Sequence, residues 1–458
     1  MTFLEAAAAL RRRETSSAEL TAAALRRIER LNPGTNAMQF VMAEAARERA
    51  KQADEELARG EGRGPLHGIP IAVKDLFRTK GVRTTAGSKL FEDYVPDYDA
   101  AVVESLHAGG AVLVAKTGMH ELAYGITSSN PHFGAVRNPW DRDRIPGGSS
   151  GGSGAAVSAG MVFMAMGSDT GGSIRTPASF CGVVGLKPTY GRVSCYGALP
   201  LGFTLDHMGP LTRSVRDAAA VLNIIAGYDL RDPASSRRPV ENYVPDPEPA
   251  IRGVKIGLPE NFYFERLDPD VDAAVRGAVR AAQSCGAEIV PLQVPDIAAM
   301  NTVARVVLLA EAAAVLEPHL EKRDQFGSDV LALLDQGRLL PATDYINAQR
   351  LRRAMQRDFA GLWPRVDCLF TPTTPSTAPR IGETSTSIAG ECEDVRLAAT
   401  RLVRAINLLG LPAISIPCGS DRRGLPIGLQ IIGKPFAEGL ILRVAQALLP
   451  GEVPAPRL

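Results

Sequence analysis

The chain has 458 residues, of which 45% are hydrophobic and 22% are charged, and its formal net charge is +1. This is an ordinary globular composition, and the length allows a large buried core. The near balance of 51 basic and 50 acidic residues excludes a global attraction to nucleic acid or to membranes, although it leaves room for a local basic patch.

The cysteines and the start of the chain bear on location. The six cysteines are scattered without a Cys-x-x-Cys pair, so we expect free thiols and neither a disulfide framework nor a zinc site. The first residues lack the pattern of a signal peptide, and no apolar run reaches the ~18 residues of a membrane-spanning helix. We therefore expect a cytoplasmic protein.

The N-terminal region is predicted to be helical. A capping box at Ser16–Glu19 begins a helix that we expect to end near Leu31, just before an Asn-Pro pair. A second helix is predicted over 43–58, and residues 60–64 form a glycine-rich break.

Beyond this break, short apolar runs with β-branched residues alternate with helical stretches. One helix is predicted near 101–108, and strands are predicted at 69–73, 111–115, 254–258, 288–294, 368–371, 413–416 and 429–432. Interleaved strands and helices predict an α/β fold with a layered sheet, and not separate β and α domains.

The later part of the chain is interpreted as a continuation of the same unit. Residues 229–249 are rich in Pro, Asp, Arg and Ser, and we prefer a surface connection to an interdomain linker. Residues 298–360 are predicted to form consecutive helices that cap one edge of the sheet. We expect one domain over 1–458, with N-terminal helices at 1–64, a core at 65–215, a partly helical cap region at 253–360, and C-terminal strands and a helix at 361–458.

Two glycine–serine clusters and an upstream lysine carry the chemistry. The first cluster, 146–154, reads PGGSSGGSG and the second, 167–175, reads GSDTGGSIR, while Lys74 ends the run GIPIAVK. A serine hydroxyl is a weak nucleophile unless a base takes its proton. None of the six histidines lies in a recognisable triad motif, and we interpret His67 and His207 as packed or surface side chains.

A lysine can replace histidine as the base when burial lowers its pKa. Lys74 follows an apolar run that would bring it to the end of a strand, where sites of α/β proteins lie. The plainer interpretation is a surface lysine that terminates a strand.

The second cluster is suited to an oxyanion hole. Glycines allow the backbone of 170–173 to direct consecutive N–H groups at one point, and a helix beginning near Arg175 would add partial positive charge. The alternative is a pair of tight turns.

Two other motifs match poorly. Residues 147–151 formally fit the G-x-S-x-G nucleophile elbow, but the polar segment before them is not a strand. Neither cluster ends in the Gly-Lys-Ser/Thr of a phosphate-binding loop.

The chain closely resembles the amidase signature family of serine hydrolases. The resemblance runs through 68–75, 147–154, 167–175, 181–192, 411–417 and 428–433, and residues 65–215 carry most of it. It implies an α/β/α sandwich around a large mixed β-sheet and a Ser-cisSer-Lys triad. Lys74 would be the base, Ser149 would relay the proton after a cis peptide bond, and Ser173 would be the nucleophile that forms an acyl-enzyme.

The resemblance also implies supporting roles. The backbone from Thr170 through Gly171 and Gly172 to Ser173 would form the oxyanion hole. Ser150 would add a supporting hydrogen bond. Asp169 and Arg175 would fix the loop, or they are simply a structural ion pair.

Two kinds of family member remain open. The first is a hydrolase of small amides, and the second is the glutaminase component, known as the A subunit, of a tRNA-dependent amidotransferase, which works with B and C subunits. Thr176 stands where such proteins carry Gln, His120 stands where they usually have Asp, and Arg338 does not align with their glutamine-binding arginine, so the hydrolase is favoured. A binding protein on an inactive fold is disfavoured because all three triad residues are present.

The expected ligand is a small amide. The pocket is predicted to be lined by Met119, residues 124–128, Thr170 and the cap region. No metal or organic cofactor and no direct contact with nucleic acid are indicated, and a homodimer fits the resemblance.

Overall fold

The computed structural model of the protein describes residues 1–458. Its strands are β1 (Met38–Val41), β2 (Pro70–Lys74), β3 (Val112–Thr117), β4 (Ser129–Asn130), β5 (Gly134–Ala135), β6 (Met164–Ser168), β7 (Val184–Lys187), β8 (Met208–Thr212), β9 (Lys255–Pro259), β10 (Glu288–Leu292), β11 (Cys368–Pro372), β12 (Ser385–Ile388), β13 (Glu391–Asp394), β14 (Ala413–Ser420) and β15 (Pro426–Gly433). Its α-helices are α1 (Phe3–Arg11), α2 (Ser17–Thr35), α3 (Ala43–Ala58), α4 (Ala101–Ala108), α5 (Gly151–Ser158), α6 (Arg175–Cys181), α7 (Val215–Ile225), α8 (Pro269–Ser284), α9 (Ile297–Leu316), α10 (Ser328–Arg338), α11 (Ala342–Ala360), α12 (Val395–Arg401), α13 (Arg404–Leu409) and α14 (Glu438–Leu448).

Eleven strands form one mixed sheet in the order β1-β3-β2-β6-β8-β7-β14-β15-β11-β9-β10. Strands β3, β2 and β6 are parallel to one another, as are β11, β9 and β10 at the other side. The strands between these two groups pair antiparallel. The large mixed sheet predicted for this fold class is therefore confirmed.

Alternating side chains of β2 enter different apolar clusters. Ile71 and Val73 belong to a cluster that includes residues of α4 and α7. Ala72 belongs to another cluster that includes residues of α2 and α5. Because successive side chains of a strand point to opposite faces, helices cover both faces of the sheet, which is the α/β/α sandwich.

Several elements agree with the sequence prediction, and one helix end does not. The predicted helices over 43–58 and 101–108 are α3 and α4, and the capping box of Ser16 is formed. The end predicted near Leu31 is wrong, since α2 runs to Thr35 with Pro33 inside it. A proline in the last turn costs the helix one backbone hydrogen bond, and Asn36 ends the helix in the left-handed conformation.

The cap consists of α9, α10 and α11, which pack together, and α9 also contacts α13. Residues 297–325, which include α9, are long and apolar enough to cross a membrane by length and composition alone, contrary to the sequence analysis. Half of the apolar window of this segment is buried inside the protein. Core helices pass the same test, so this finding is weak evidence for a membrane span.

Candidate active site

Lys74 is the last residue of β2, in which every residue is buried. Its Nζ donates hydrogen bonds to Ser149 Oγ at 2.7 Å and to Ser168 Oγ at 2.8 Å. Burial lowers the pKa of Lys74 to about 7, although the negative charges of Asp206 and Asp169 oppose this shift. A substantial fraction of the side chain is therefore neutral near pH 7.

Ser149 lies in an irregular segment just before α5, and the peptide bond between Gly148 and Ser149 is cis. No strand precedes it, which agrees with the rejection of the nucleophile-elbow motif. The glycines of this segment are needed for packing, since a Cβ on Gly152 would collide with the carbonyl oxygen of Gly118. The close approach of α5 to β3 is thus possible only with glycine at this position.

Ser173 lies on the turn between β6 and α6 and contributes to the wall of a cavity with a volume of about 340 Å³. Its side chain makes no hydrogen bond, and the hydroxyls of Ser149 and Ser173 are not bonded to each other. Lys74 and Ser149 are thus in contact, while Ser173 is open to the cavity. The cavity volume falls within the usual range of ~300–1,000 Å³ for small-molecule sites.

The backbone before Ser173 has both free and occupied N–H groups. Gly172 donates its N–H to Asp169 Oδ1 at 2.8 Å. The N–H groups of Thr170, Gly171 and Ser173 make no hydrogen bond within the protein. Gly172 has φ +121°, and a Cβ there would collide with a methyl group of a valine, so the turn requires glycine.

Asp169 and Arg175 form a fully buried, two-pronged ion pair. Arg175 Nε lies 3.0 Å from Asp169 Oδ2, and Arg175 Nη2 lies 2.9 Å from Asp169 Oδ1. The remaining donors of Arg175 reach Asn407, Gln430 and the carbonyl oxygen of Val403. Burial is the largest single influence and would raise the pKa of Asp169, but the charge and hydrogen bonds of Arg175, together with the charge of Lys187 and the hydrogen bond of Asn407, outweigh it and hold this pKa well below its usual range.

Ser150 fastens the first cluster to β6. Its Oγ donates to the carbonyl oxygen of Ser168 at 3.1 Å and accepts from the N–H of Ser168 at 3.3 Å. The N–H of Ser150 also donates to the carbonyl oxygen of Ser173 at 3.3 Å. Ser150 therefore links the segment that carries Ser149 to β6 and to the turn that carries Ser173.

Sequence reasoning missed Asp206, which accepts a hydrogen bond from Thr170 Oγ1 at 2.5 Å and others from the N–H groups of Leu201 and Gly202. Burial raises the pKa of Asp206 to about 6, while these hydrogen bonds act in the opposite direction. Ser168 and Asn407 were missed as well. Ser168 could have been proposed from the sequence, because it stands in the second glycine–serine cluster. Nothing in the sequence connects Asn407 to Asp169.

The cavity wall matches the sequence prediction in part. Tyr124–Thr127 and Thr170 line it, as do Arg305, Leu308, Asp329 and other residues of the cap. Met119 and Ser128 do not line it. Ser128 Oγ instead donates to the carbonyl oxygen of Gly147 at 2.9 Å, so it holds the first glycine–serine cluster in place. Residues between Asp394 and Arg404 also line the cavity and were not predicted.

The two histidines considered in the sequence have structural partners. His67 Nε2 lies 2.7 Å from Glu56 Oε2. His207 is buried, and burial together with the charge of Lys187 holds its pKa well below the usual range. Its Nδ1 lies near the carbonyl oxygens of Leu205 and Asp169. Neither ring contacts Ser149 or Ser173, in agreement with the structural interpretation.

Comparisons with known proteins identify the family of the chain. A family model described as Amidase matches residues 19–442. The A subunit of the glutamyl-tRNA(Gln) amidotransferase of Anaeromyxobacter dehalogenans (strain 2CP-C) is 43% identical over 99% of this chain and 96% of its own length.

Two solved structures are similar over nearly the whole chain. One, described as "An unexpected vestigial protein complex reveals the evolutionary origins of an s-triazine catabolic enzyme", has a TM-score of 0.95 and 37% identity and covers 100% of both chains. The other, "Crystal structure of amidase", has a TM-score of 0.90 and 38% identity and covers 98% of this chain and 99% of its own.

The fold and these relatives define an amide-hydrolysing enzyme. The chain belongs to the amidase family, because the family model spans most of its length and relatives above 30% identity cover nearly all of it.

Proposed function

We propose that the protein hydrolyses a carboxylic amide to an acid and ammonia or an amine through an acyl-enzyme on Ser173. The observation that carries this proposal is the 2.7 Å contact of a buried Lys74 with Ser149, next to a serine that faces a cavity. A neutral lysine amine has a lone pair and two N–H bonds. It accepts the proton of Ser149 while it donates to Ser168, so Ser168 orients the base.

The reaction begins when Ser173 Oγ attacks the amide carbon and forms the C–O bond. The Ser173 proton passes to Ser149 Oγ as the Ser149 proton passes to Lys74 Nζ, and the carbonyl electron pair moves onto oxygen. This step requires the two serine hydroxyls to come within hydrogen-bond distance when substrate binds, as catalytic contacts commonly tighten in the substrate complex.

The oxyanion is stabilised by backbone N–H groups that are free of other partners. Of the four expected donors, Gly172 is committed to Asp169, so we assign the hole to Thr170, Gly171 and Ser173. The C–N bond then breaks as the proton returns from Lys74 through Ser149 to the leaving nitrogen. Water attacks the Ser173 ester by the same relay and releases the acid.

A second candidate function is that of the glutaminase component, the A subunit, of a tRNA-dependent amidotransferase, which supplies ammonia from glutamine. The 43% identity to a protein of that name favours it. Under this alternative the partners are B and C subunits. The similarity to a structure described as an amidase, together with Thr176 at the position after Arg175, supports the free-standing hydrolase.

Ammonia release by the purified chain tests the proposal across a panel of simple amides that includes glutamine. Ser173→Ala, Ser149→Ala and Lys74→Met should each lower turnover by more than ~1,000-fold. Ser158→Ala is the matched control, because this buried serine at the end of α5 makes no hydrogen bond. Full activity of Ser173→Ala would contradict the mechanism. Turnover of glutamine alone, or only after B and C subunits and tRNA are added, would establish the alternative.

Further expectations remain part of this proposal. We propose one domain over 1–458, supported by a sheet that takes strands from Met38 to Gly433. We also propose a cytoplasmic enzyme with a small-molecule amide substrate, no cofactor, no direct nucleic-acid contact and a homodimeric state.

A further inference from the structure

The cavity that Ser173 faces is rich in charge, with three arginines and two aspartates in its wall. Both aspartates have partners. Asp329 Oδ2 lies 3.1 Å from His120 Nε2, and Asp394 Oδ2 lies 3.1 Å from Arg396 Nη2. The other two arginines form no ion pair, and three arginines against two aspartates leave the cavity with an excess of positive charge.

Arg404 is the more confined of these two unpaired arginines. Its Nη2 donates to Thr400 Oγ1 at 2.7 Å, whereas its Nε is buried without a hydrogen-bond partner and its Nη1 makes no hydrogen bond. Burial, followed by the nearby charge of Arg305, lowers the pKa of Arg404 to about 10, so the group stays charged at neutral pH. An unpaired cation with a buried, unsatisfied N–H donor is costly, and an anionic ligand would relieve that cost.

The guanidinium lies beside Gly171, two residues before Ser173. Its Nε is 3.8 Å from the point that a Cβ on Gly171 would occupy. Gly171 carries one of the free N–H groups assigned to the oxyanion hole. An anion bound by Arg404 is therefore only a few bonds from the carbonyl that Ser173 attacks.

We propose that Arg404 binds a carboxylate of the substrate, and that the substrates are short amides with a carboxylate near the scissile bond, such as monoamides of dicarboxylic acids. This inference rests on the proposed function. The fork of a guanidinium matches a carboxylate in two hydrogen bonds.

The test compares succinamate with 4-oxopentanamide, in which a methyl ketone replaces the carboxylate. The wild-type enzyme should prefer succinamate. Arg404→Met should lower kcat/KM for succinamate by about 100-fold, the size of a lost charged hydrogen-bond pair, and should change the value for 4-oxopentanamide by less than about threefold. Arg404→Lys should recover part of the loss. Arg350→Met is the matched control, because Arg350 is exposed on α11 and lies outside the cavity wall.

Two results would overturn the assignment. An equal loss on both amides would mean that Arg404 acts on the reacting atoms or on the fold, and a wild-type preference for the neutral amide would exclude a carboxylate site. Melting temperature separates folding from binding. Arg404→Met removes a buried unpaired charge, so the variant should melt at or above the wild-type temperature, whereas a structural role would lower it.

Binding of succinate to Ser173→Ala, measured by calorimetry, separates this inference from the proposed function. If no amide is turned over, binding that disappears in the Ser173→Ala/Arg404→Met double variant still supports the subsite while the catalytic proposal fails. Absence of binding to Ser173→Ala at millimolar succinate overturns the subsite, even if neutral amides are turned over.

Discussion

The lowered pKa of Lys74 predicts the pH dependence of the enzyme. The neutral amine is the proposed base, so kcat/KM should rise with unit slope up to about pH 7 and level off above it. At pH 7 about half of the Lys74 side chains are then neutral. A lysine at its ordinary pKa of 10.5 would be neutral in roughly one molecule in 3,000 at that pH, so burial supplies about a thousandfold more of the active form.

The same shift predicts a pH-dependent stability. The pKa of Lys74 falls from 10.5 in the unfolded chain to about 7 in the folded protein, which corresponds to about 5 kcal/mol at ~1.36 kcal/mol per unit. Between these pH values the unfolded state binds more protons, so the contribution of Lys74 to the free energy of unfolding rises with pH. Below pH 7 Lys74 is protonated in both the folded and the unfolded state, and its full destabilising effect on the folded protein is present.

Lys74→Met should therefore be more stable than the wild type at pH 6, and its advantage should shrink by up to about 5 kcal/mol as the pH approaches 10.5. Urea denaturation at pH 6, 8 and 10 measures the difference in the free energy of unfolding. Lys51→Met, on the exposed side of α3, controls for the loss of one lysine. A wild-type-to-variant difference that is independent of pH, or an acidic limb that lies near pH 10, would refute the reasoning.

Three other changes have directions set by the structure. Asp206→Asn should move the acidic limb of kcat/KM to lower pH, because the Asp206 charge raises the pKa of Lys74; an unmoved limb would contradict this. Asp169→Asn leaves the buried guanidinium of Arg175 without a charge partner and should lower the free energy of unfolding, measured by urea denaturation, by about 3–5 kcal/mol. A decrease below ~1 kcal/mol would count against the ion pair. Gly172→Ala should lower the melting temperature, since its Cβ would collide with a valine methyl, whereas Gly171→Ala, with no such atom closer than 3.8 Å, should not.

The fold class could be predicted from the sequence, but the centre of the sheet could not. The sequence predicts β2, β3, β9, β10, β11, β14 and β15, which carry β-branched residues in short runs, but it does not predict the edge strand β1. The central strands β6, β7 and β8 are buried on both faces yet include Gly167, Gly185, Lys187 and Pro210. Lys187 is tolerated in a strand because its Nζ donates to the carbonyl oxygens of Pro188 and Leu411, a long-range arrangement that no local pattern reports.

The candidate site divides in the same way. Ser149 and Ser173 stand in glycine–serine clusters and Lys74 ends an apolar run, so all three could be identified as candidates from the sequence alone. Asp206 and Arg404 come from distant parts of the chain and belong to no short motif. Tertiary structure alone brings them to the cavity or to the loop beside it.

Helix α13 connects the cavity wall to the loop that carries Ser173. Arg404 begins the helix, and Asn407 lies three residues later, where side chains of a helix share a face. Asn407 donates to Asp169 Oδ1 at 2.9 Å and accepts from Arg175 Nη2 at 2.6 Å. The proposed carboxylate site and the turn before the nucleophile are thus held by the same short helix, which packs against α9 of the cap. Substitutions of cavity-lining residues of α10 can therefore reshape another part of the cavity wall, while α13 keeps Arg404 next to the turn that Asn407 holds.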